Sequence, residues 1–274
     1  MLLSPIKQHM PQSVKQSLRR LIDFKTLYIM KTAQVHPAPI FILGHHKSGT
    51  TVIASLLAEI SGQQVTLDMF NQIDRKSYWR DKLFNRQLPF SDFVQAHKFY
   101  FSTCLNKAPN LTFFYDELRQ CFPKATFIFV IRDPRDTIRS ILNRLGIPGN
   151  LDKLQSTEGI AWQSMIAGRN PDVIGDNYIE RLANRWNLAA DTYISHGEEI
   201  SLIRYEDFVL DKSGAISNLA SQVGLTPIHN IADKINIQYQ PRSDRTISWP
   251  TFFGIDNLRR IEAICSDRMN YFGY

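Results

Sequence analysis

Residues Thr126–Ile131 form a continuous apolar run, Thr-Phe-Ile-Phe-Val-Ile. Such a run is typical of a strand at the centre of a parallel sheet, because helices cover both faces of that sheet. Two further apolar segments, 40–43 and Ile200–Arg204, also have the length of strands and are each followed by a helical pattern. Strands that alternate with helices predict an α/β fold, with a central parallel sheet wrapped by helices.

Apolar spacing predicts helices over residues 52–60, 178–195, 213–223 and 255–269. Asp133 and Pro134 supply the N-cap and first residue of another helix directly after the apolar run. The aromatic-rich segment 68–101 is predicted to be irregular, and the glycine- and polar-rich segment 151–176 to be mostly a loop or lid. The 274 residues contain no internal repeat, so we expect a single domain over 1–274.

The composition is that of a folded protein and favours a cytoplasmic location. Hydrophobic residues make up 43% of the chain and charged residues 21%. The sequence contains no apolar run of eighteen residues, so we expect no transmembrane helix. The opening Met-Leu-Leu-Ser-Pro does not resemble a signal peptide. Three cysteines, Cys104, Cys121 and Cys265, are too few and scattered for a disulfide framework or a zinc site, so we expect reduced thiols in the core.

The net charge of +6 is concentrated in residues 1–39, which contain six basic residues and one acidic residue, Asp23. This segment has apolar residues at helical spacing, and a basic amphipathic helix packs on its own domain or contacts an anionic membrane surface. No dense basic stripe interleaved with aromatic residues is visible. We therefore expect no nucleic-acid partner.

The segment from Ile40 to Thr51 reads as a strand, a glycine-containing turn and a helix start. This geometry points successive backbone N–H groups at one spot, where the helix dipole also favours an anion. A lysine and hydroxyl groups at that spot predict a phosphate or sulfate site. The spacing is not that of a Walker A loop, because Lys47 precedes Gly49 instead of following it. A small-molecule kinase is therefore the weaker interpretation.

The stretch Lys47-Ser48-Gly49-Thr50-Thr51 resembles the 5′-phosphosulfate loop of sulfotransferases that use 3′-phosphoadenosine 5′-phosphosulfate (PAPS). This resemblance implies a P-loop-like sulfotransferase fold. It also implies that Lys47 binds the bridging oxygen of the leaving phosphate, while the four residues that follow hold the 5′-phosphate. His46 lies inside the same loop, where it can bind the sulfate or accept a proton.

A second candidate site follows the apolar run, where Arg132 ends the strand and Ser140 lies two turns into the next helix. A guanidinium and a hydroxyl in one groove can clamp one phosphate, although Arg132 can instead form a structural ion pair with Asp133 or Asp136. An arginine at a strand end with a serine eight residues later resembles the 3′-phosphate site of the same sulfotransferases.

Three other stretches bear on this resemblance. Tyr205-Glu-Asp is similar to a family segment whose tyrosine contacts the adenine, and Lys107-Ala-Pro109-Asn110 is similar to the stretch that leads to the 3′-phosphate strand. In the C-terminal part, Arg242 and Arg245 form the basic cluster placed to reach the 3′-phosphate, although they do not match the usual Arg-Lys-Gly.

The chain departs from the branch that sulfates small phenols and steroids. Pro109 stands where that branch has its catalytic histidine, and Val52 stands where it has a tryptophan that stacks on adenine. Glycan and protein-tyrosine sulfotransferases use a glutamate about twenty residues beyond the loop instead. Asp68, twenty-one residues after Lys47, is therefore the candidate base. The alternatives are His46, His45 and His97.

The resemblance implies sulfuryl transfer from PAPS to a hydroxyl or amine of a small-molecule or glycan acceptor, without a metal. The aromatic segment 68–101 either lines the acceptor pocket or belongs to the core. Two alternatives stay open: a P-loop small-molecule kinase, and a non-catalytic protein of the same fold that binds the nucleotide without turnover.

Overall fold

The computed structural model describes residues 28–30, 32–73, 78–156, 166, 172–238 and 246–274. These residues form one parallel sheet of five strands in the order β2-β3-β1-β4-β5. The strands are β1 (Ile40–Gly44), β2 (Val65–Leu67), β3 (Leu105–Lys107), β4 (Thr126–Ile131) and β5 (Ile200–Arg204). β1 lies at the centre of the sheet and pairs with both β3 and β4.

Helices and 3₁₀ segments connect the strands. The α-helices are α1 (Thr50–Ser61), α2 (Phe70–Ile73), α3 (Trp79–Phe84), α4 (Phe90–Ala96), α5 (Tyr115–Cys121), α6 (Pro134–Leu145), α7 (Tyr178–His196), α8 (Tyr205–Leu210), α9 (Lys212–Gln222) and α10 (Trp249–Phe272). The 3₁₀ segments are Lys98–Phe101, Pro109–Phe114 and Gly197–Glu199. α10 is interrupted at Gly254, whose φ of 70° lies outside the helical range.

Successive side chains of β1 point into two different cores. Phe41 and Leu43 pack with the aromatic segment and with α6, α7 and α10, whereas Ile40 and Ile42 pack with α1 and α9. β4 divides in the same way, and its last five residues are all buried. The sheet is thus covered on both faces, which is why the run of residues 126–131 contains no alternation of polar and apolar positions.

The structure confirms the predicted α/β class and the three predicted strands. It confirms the helices predicted over 178–195 and 213–223 within one residue, whereas the last helix begins at Trp249, six residues before its predicted start. The side chain of Asp133 caps α6 by accepting a hydrogen bond from the Arg135 backbone N–H at 2.8 Å. The first helix begins at Thr50 instead of 52, so both threonines of the loop lie in its first turn. The prediction that 68–101 is irregular is wrong, because α2, α3, α4 and a 3₁₀ turn lie there.

Other predictions meet the structure only in part. Most of the basic segment 1–39, the interior of the loop 151–176, and both Arg242 and Arg245 lie outside the described residues. Cys265 is buried, whereas Cys104 and Cys121 are half-buried. None of the described helices is long and apolar enough to cross a membrane.

Candidate active site

The carboxyl ends of the strands open into a cavity of about 670 Å³. Parallel strands place such crevices at their carboxyl edge, where the loops that follow the strands diverge. The charged side chains that line this cavity are Lys47, Asp68, Arg80, Lys107, Arg132, Arg144 and Lys212. With a single carboxylate in this described lining, the cavity is suited to anionic ligands.

The turn after β1 is held from both sides. Gly44 has a φ of 131°, and a Cβ atom built on it would lie 2.3 Å from the carbonyl oxygen of Val130 in β4. The Gly44 N–H donates to Thr112 Oγ1 at 2.8 Å, and the same hydroxyl donates to the Gly44 carbonyl at 3.1 Å. The chain therefore leaves β1 at an angle that only glycine permits.

The remaining residues of the turn connect β1 to the start of α1. Lys47 and Gly49 both have left-handed φ angles, 69° and 99°. The Ser48 hydroxyl is buried and donates to the His45 carbonyl at 2.7 Å, so it braces the turn. The first N–H groups of a helix have no acceptor within the helix, so the start of α1 at Thr50 provides an anion site at the cavity wall.

Arg132 joins this loop to the second candidate site. Its Nη1 donates to the Lys47 carbonyl at 3.0 Å, and its Nη2 donates to Asp136 Oδ2 at 3.1 Å. The ion pair with Asp136 that the sequence left open is therefore present. Within the described residues the buried Nε of Arg132 has no hydrogen-bond partner, and Ser140 lines the same cavity. Arg132 thus combines a structural ion pair with a buried N–H group that has no partner among the described residues.

Tyr205 at the start of α8 lies between the two sites. A Cβ atom on Gly49 would lie 2.3 Å from its ring, so only a glycine lets the loop approach this closely. The guanidinium carbon of Arg132 lies 4.7 Å from the ring centroid, a cation–π contact. Glu206, the next residue, accepts a hydrogen bond from the backbone N–H of Asp133 at 3.1 Å. These contacts couple the ends of β4 and β5 to the loop.

On the other side of the loop, Asp68 and Lys107 form an ion pair. Asp68 directly follows β2, and Lys107 is the last residue of the neighbouring strand β3. The Lys107 ammonium donates to both oxygens of the Asp68 carboxylate, at 2.8 and 2.9 Å. The Asp68 N–H also donates to the Lys107 carbonyl at 2.7 Å. Lys107 is buried, and this burial lowers its pKa while Asp68 raises it. The candidate base is therefore held by a cation on the cavity wall.

The three histidines occupy different surroundings. His46 lines the cavity, and burial, followed by the charge of Arg185, holds its pKa well below the usual value. His45 is fully buried, and the same two causes lower its pKa to about 3. His97 packs edge-on against Trp79 and does not line the cavity, so the structure supports a packing role for it. Both loop imidazoles are neutral at pH 7.

A sequence profile of the sulfotransferase family matches residues 82–229, which is more than half of the chain. The chain belongs to the sulfotransferase family. The match includes Arg132, Ser140 and Tyr205, whereas the loop around Lys47 and the carboxylate of Asp68 lie before it. No curated protein sequence matches the chain.

Solved sulfotransferase structures share the fold of this sulfotransferase at low sequence identity. Sulfotransferase STF9 from Mycobacterium avium is 13% identical, with a TM-score of 0.58 over 90% of this chain and 81% of that one. STF1 from Mycobacterium tuberculosis H37Rv is 13% identical, with a TM-score of 0.51 over 89% and 80%. The sulfotransferase domain from the curacin biosynthetic pathway is 13% identical, with a TM-score of 0.50 over 88% and 99%.

In this sulfotransferase the cavity brings together most of the residues that the sequence singled out. His46, Lys47, Gly49, Thr50, Thr51, Asp68, Arg132, Ser140 and Tyr205 line it, with Ser48 buried beneath the loop. Val52 and Pro109, the two departures from the phenol branch, lie in the same wall. Within the predicted aromatic segment, Phe70 lines the cavity, whereas Phe93 and Phe101 belong to the core.

Sequence reasoning missed three cations of the cavity wall, Arg80, Arg144 and Lys212. Arg144 lies one helical turn beyond Ser140 on α6, so the i, i+4 spacing was the signal that pointed to it. It is close enough for its charge to lower the pKa of Lys47, although burial contributes more to that shift. No pattern marks Arg80 or Lys212, because each belongs to a helix whose other exposed residues are also polar.

Proposed function

We propose that this sulfotransferase transfers a sulfuryl group from PAPS to a hydroxyl or amine of a small-molecule or glycan acceptor. The observation that carries the proposal is the 3.0 Å hydrogen bond from Arg132 Nη1 to the Lys47 carbonyl. This bond joins the two candidate anion sites on one wall of one cavity. A nucleotide that carries both a 5′ and a 3′ phosphate needs two such sites in contact, and ATP does not.

The residues present fit this nucleotide. The turn of residues 47–49 and the first turn of α1 would hold the 5′ phosphosulfate, while Arg132 Nε and the Ser140 hydroxyl would hold the 3′ phosphate. Arg144, on the same face of α6, adds a second guanidinium at that end of the cavity. Arg242 and Arg245 stay predicted 3′-phosphate ligands. Tyr205, stacked between Gly49 and Arg132, offers an aromatic surface for the adenine.

The bound nucleotide supplies an activated sulfuryl group on a phosphate leaving group. Lys47 and the loop N–H groups stabilise the negative charge that develops on that phosphate. Asp68 accepts the proton of the attacking hydroxyl or amine, and its ion pair with Lys107 fixes the direction of the carboxylate. His46 is the weaker candidate base, because burial and then the cations around it lower its pKa. None of these steps requires a metal.

Calorimetric binding of 3′,5′-adenosine bisphosphate, AMP and ATP tests the nucleotide. We expect the bisphosphate to bind at least tenfold more tightly than AMP or ATP. Preferential binding of ATP would favour the kinase alternative, which the family assignment already disfavours.

Turnover of radiolabelled PAPS over an acceptor library separates an enzyme from a non-catalytic nucleotide-binding protein. Lys47→Ala is expected to lower turnover at least a hundredfold while changing bisphosphate affinity much less, since the charge of Lys47 acts mainly on the leaving phosphate. Lys124→Ala, at an exposed position before β4, is the control. Full turnover by Lys47→Ala would remove the assignment of the loop.

A further inference from the structure

The strand order divides the cavity into two halves. β1, which leads into the Lys47 loop, lies at the centre of the sheet. The candidate nucleotide residues Arg132 and Tyr205 follow β4 and β5 on one side of it. Asp68 and Lys107 lie at the ends of β2 and β3 on the other side. The half beside β2 and β3 is therefore the one left for the acceptor.

The acceptor half has more positive than negative charge among its described residues. Asp68 is already matched by Lys107, and the wall also contains the guanidinium of Arg80. Arg185, on α7, lies behind this wall and donates to the side-chain oxygen of Asn110, which itself lines the cavity.

Arg185 is a buried cation with no counter-charge among the described residues. Its side chain is 3% exposed, and no carboxylate of the described part of the chain lies within ion-pair distance of it. Its guanidinium packs 4.2 Å above the Phe113 ring, and its Nε has no hydrogen-bond partner among the described residues. A buried charge is costly unless an opposite charge compensates it, so the environment of Arg185 favours the arrival of an anion.

Burial and the positive charges of this half lower the pKa values of the neighbouring titratable groups. Burial and then Arg80 lower the pKa of Arg185 to about 9. Burial and then Arg185 lower the pKa of His45 and His46, so neither imidazole is protonated at neutral pH and neither adds to the charge. The positive charge of this half therefore comes from guanidinium and ammonium groups, which stay charged at neutral pH.

We propose that the acceptor of this sulfotransferase is itself an anion. It carries a carboxylate or sulfate group near the hydroxyl or amine that receives the sulfuryl group. Arg80 binds that anionic group directly, while Arg185 attracts it from behind Asn110. The inference rests on the proposed function and specifies its substrate class.

The first test uses inorganic sulfate as the probe, with the protein saturated in 3′,5′-adenosine bisphosphate so that the phosphate sites are filled. Sulfate is added at a concentration ten times its dissociation constant, and the reference sample contains sodium chloride at equal ionic strength. Relative to that reference, sulfate should raise the Tm by about 2–4 °C. Arg80→Gln should abolish the shift, and Lys82→Gln on the same helix should keep it. The proposal is overturned if sulfate leaves the Tm of the wild type unchanged. It is also overturned if Lys47→Ala loses the Tm shift while Arg80→Gln keeps it.

The second test uses acceptor pairs that differ only in charge, such as methyl β-D-glucuronide and methyl β-D-glucoside, within the same PAPS turnover library. Among the acceptors that turn over, the charged member of each pair should have at least a tenfold higher kcat/KM, and Arg80→Gln should remove that preference. Preference for neutral members, with normal bisphosphate binding, overturns the acceptor class alone. Failure to bind the bisphosphate overturns the proposed function instead.

Discussion

Asp68 and Lys107 lie 39 residues apart in the chain, yet their side chains form a two-point ion pair at 2.8 and 2.9 Å. The Lys107 side chain is 3% exposed and that of Asp68 is 31% exposed. The lysine therefore anchors the pair inside the protein, while the carboxylate keeps one side open to the cavity. A positioned carboxylate with an accessible oxygen is the arrangement that general base catalysis requires.

Asp68→Asn is expected to lower turnover by about 10²–10⁴-fold, because the amide cannot accept the proton. It should also lower the free energy of unfolding by about 1–3 kcal/mol, since Lys107 stays buried without its partner and Asp68 is partly exposed. Steady-state kinetics at a temperature well below the Tm of the variant separate the two effects.

Lys107→Met is the matched control for that variant, because it breaks the same ion pair but leaves the carboxylate in place. It should lose less stability than Asp68→Asn, because the buried charge is removed instead of being left without a partner. It should also retain far more turnover. Equal turnover losses in the two variants would mean that Asp68 acts only through the ion pair, and the search for a base would move to His46.

Ser140→Ala and Arg132→Ala are expected to differ in which ligands they weaken. Ser140→Ala should weaken the binding of 3′,5′-adenosine bisphosphate about tenfold. It should leave the affinity for adenosine 5′-phosphosulfate unchanged, because that ligand lacks the 3′ phosphate. Arg132→Ala should weaken both ligands, since Arg132 also holds the Lys47 carbonyl. Calorimetry with both nucleotides checks this. Equal weakening of both ligands by Ser140→Ala would contradict the 3′-phosphate assignment.

Gly49→Ala is expected to lose stability and nucleotide affinity together. Its Cβ atom would lie 2.3 Å from the Tyr205 ring, and its φ of 99° already strains an L-residue. Gly146→Ala is a matched control, because Gly146 also has a positive φ, of 67°, but nothing lies within 4 Å of its Cβ. The control should cost about 1–2 kcal/mol from backbone strain alone. Thermal unfolding and bisphosphate binding should show a larger loss for Gly49→Ala.

His97 should make the protein less stable in acid. Burial lowers its pKa from 6.5 to about 4. Between these values the unfolded chain binds a proton that the folded protein does not, so stability is lost as the pH falls from 6.5 towards 4. In urea unfolding at pH 7.5 and pH 5, His97→Phe should lose less stability on acidification than the wild type. An identical pH dependence in the two proteins would contradict this prediction.

The sequence predicts the three longer strands of the sheet better than the two short ones. The run Thr126–Ile131 is recognisable because its last five side chains are all apolar and buried, and Asp133 with Pro134 marks a helix start by local chemistry alone. Val65–Leu67 and Leu105–Lys107 are three residues long and mix polar with apolar side chains, so neither shows a period. They become strands only because β3 pairs with β1 and β2 pairs in turn with β3.

The same distinction holds for the cavity. The loop from Gly44 to Thr51 is contiguous, so its motif shows in the sequence. The ion pair of Asp68 with Lys107 and the approach of Arg185 to the loop depend on strand order and helix packing. Such long-range relationships leave no local pattern, which is why Asp68 was predicted without its partner and Arg185 was not predicted at all.

The central position of β1 also separates the two halves of the cavity along the chain. Among the described residues, 65–73 and 78–114 build the β2 and β3 side together with Arg185, whereas most of 126–156 and 178–210 lies on the β4 and β5 side, and the loop after β1 serves both. Donor use and acceptor choice can thus diverge at different rates in evolution. Exchange of the stretch 65–114 between related enzymes would transplant most of the acceptor wall, and full transfer of selectivity would also require the residue at position 185.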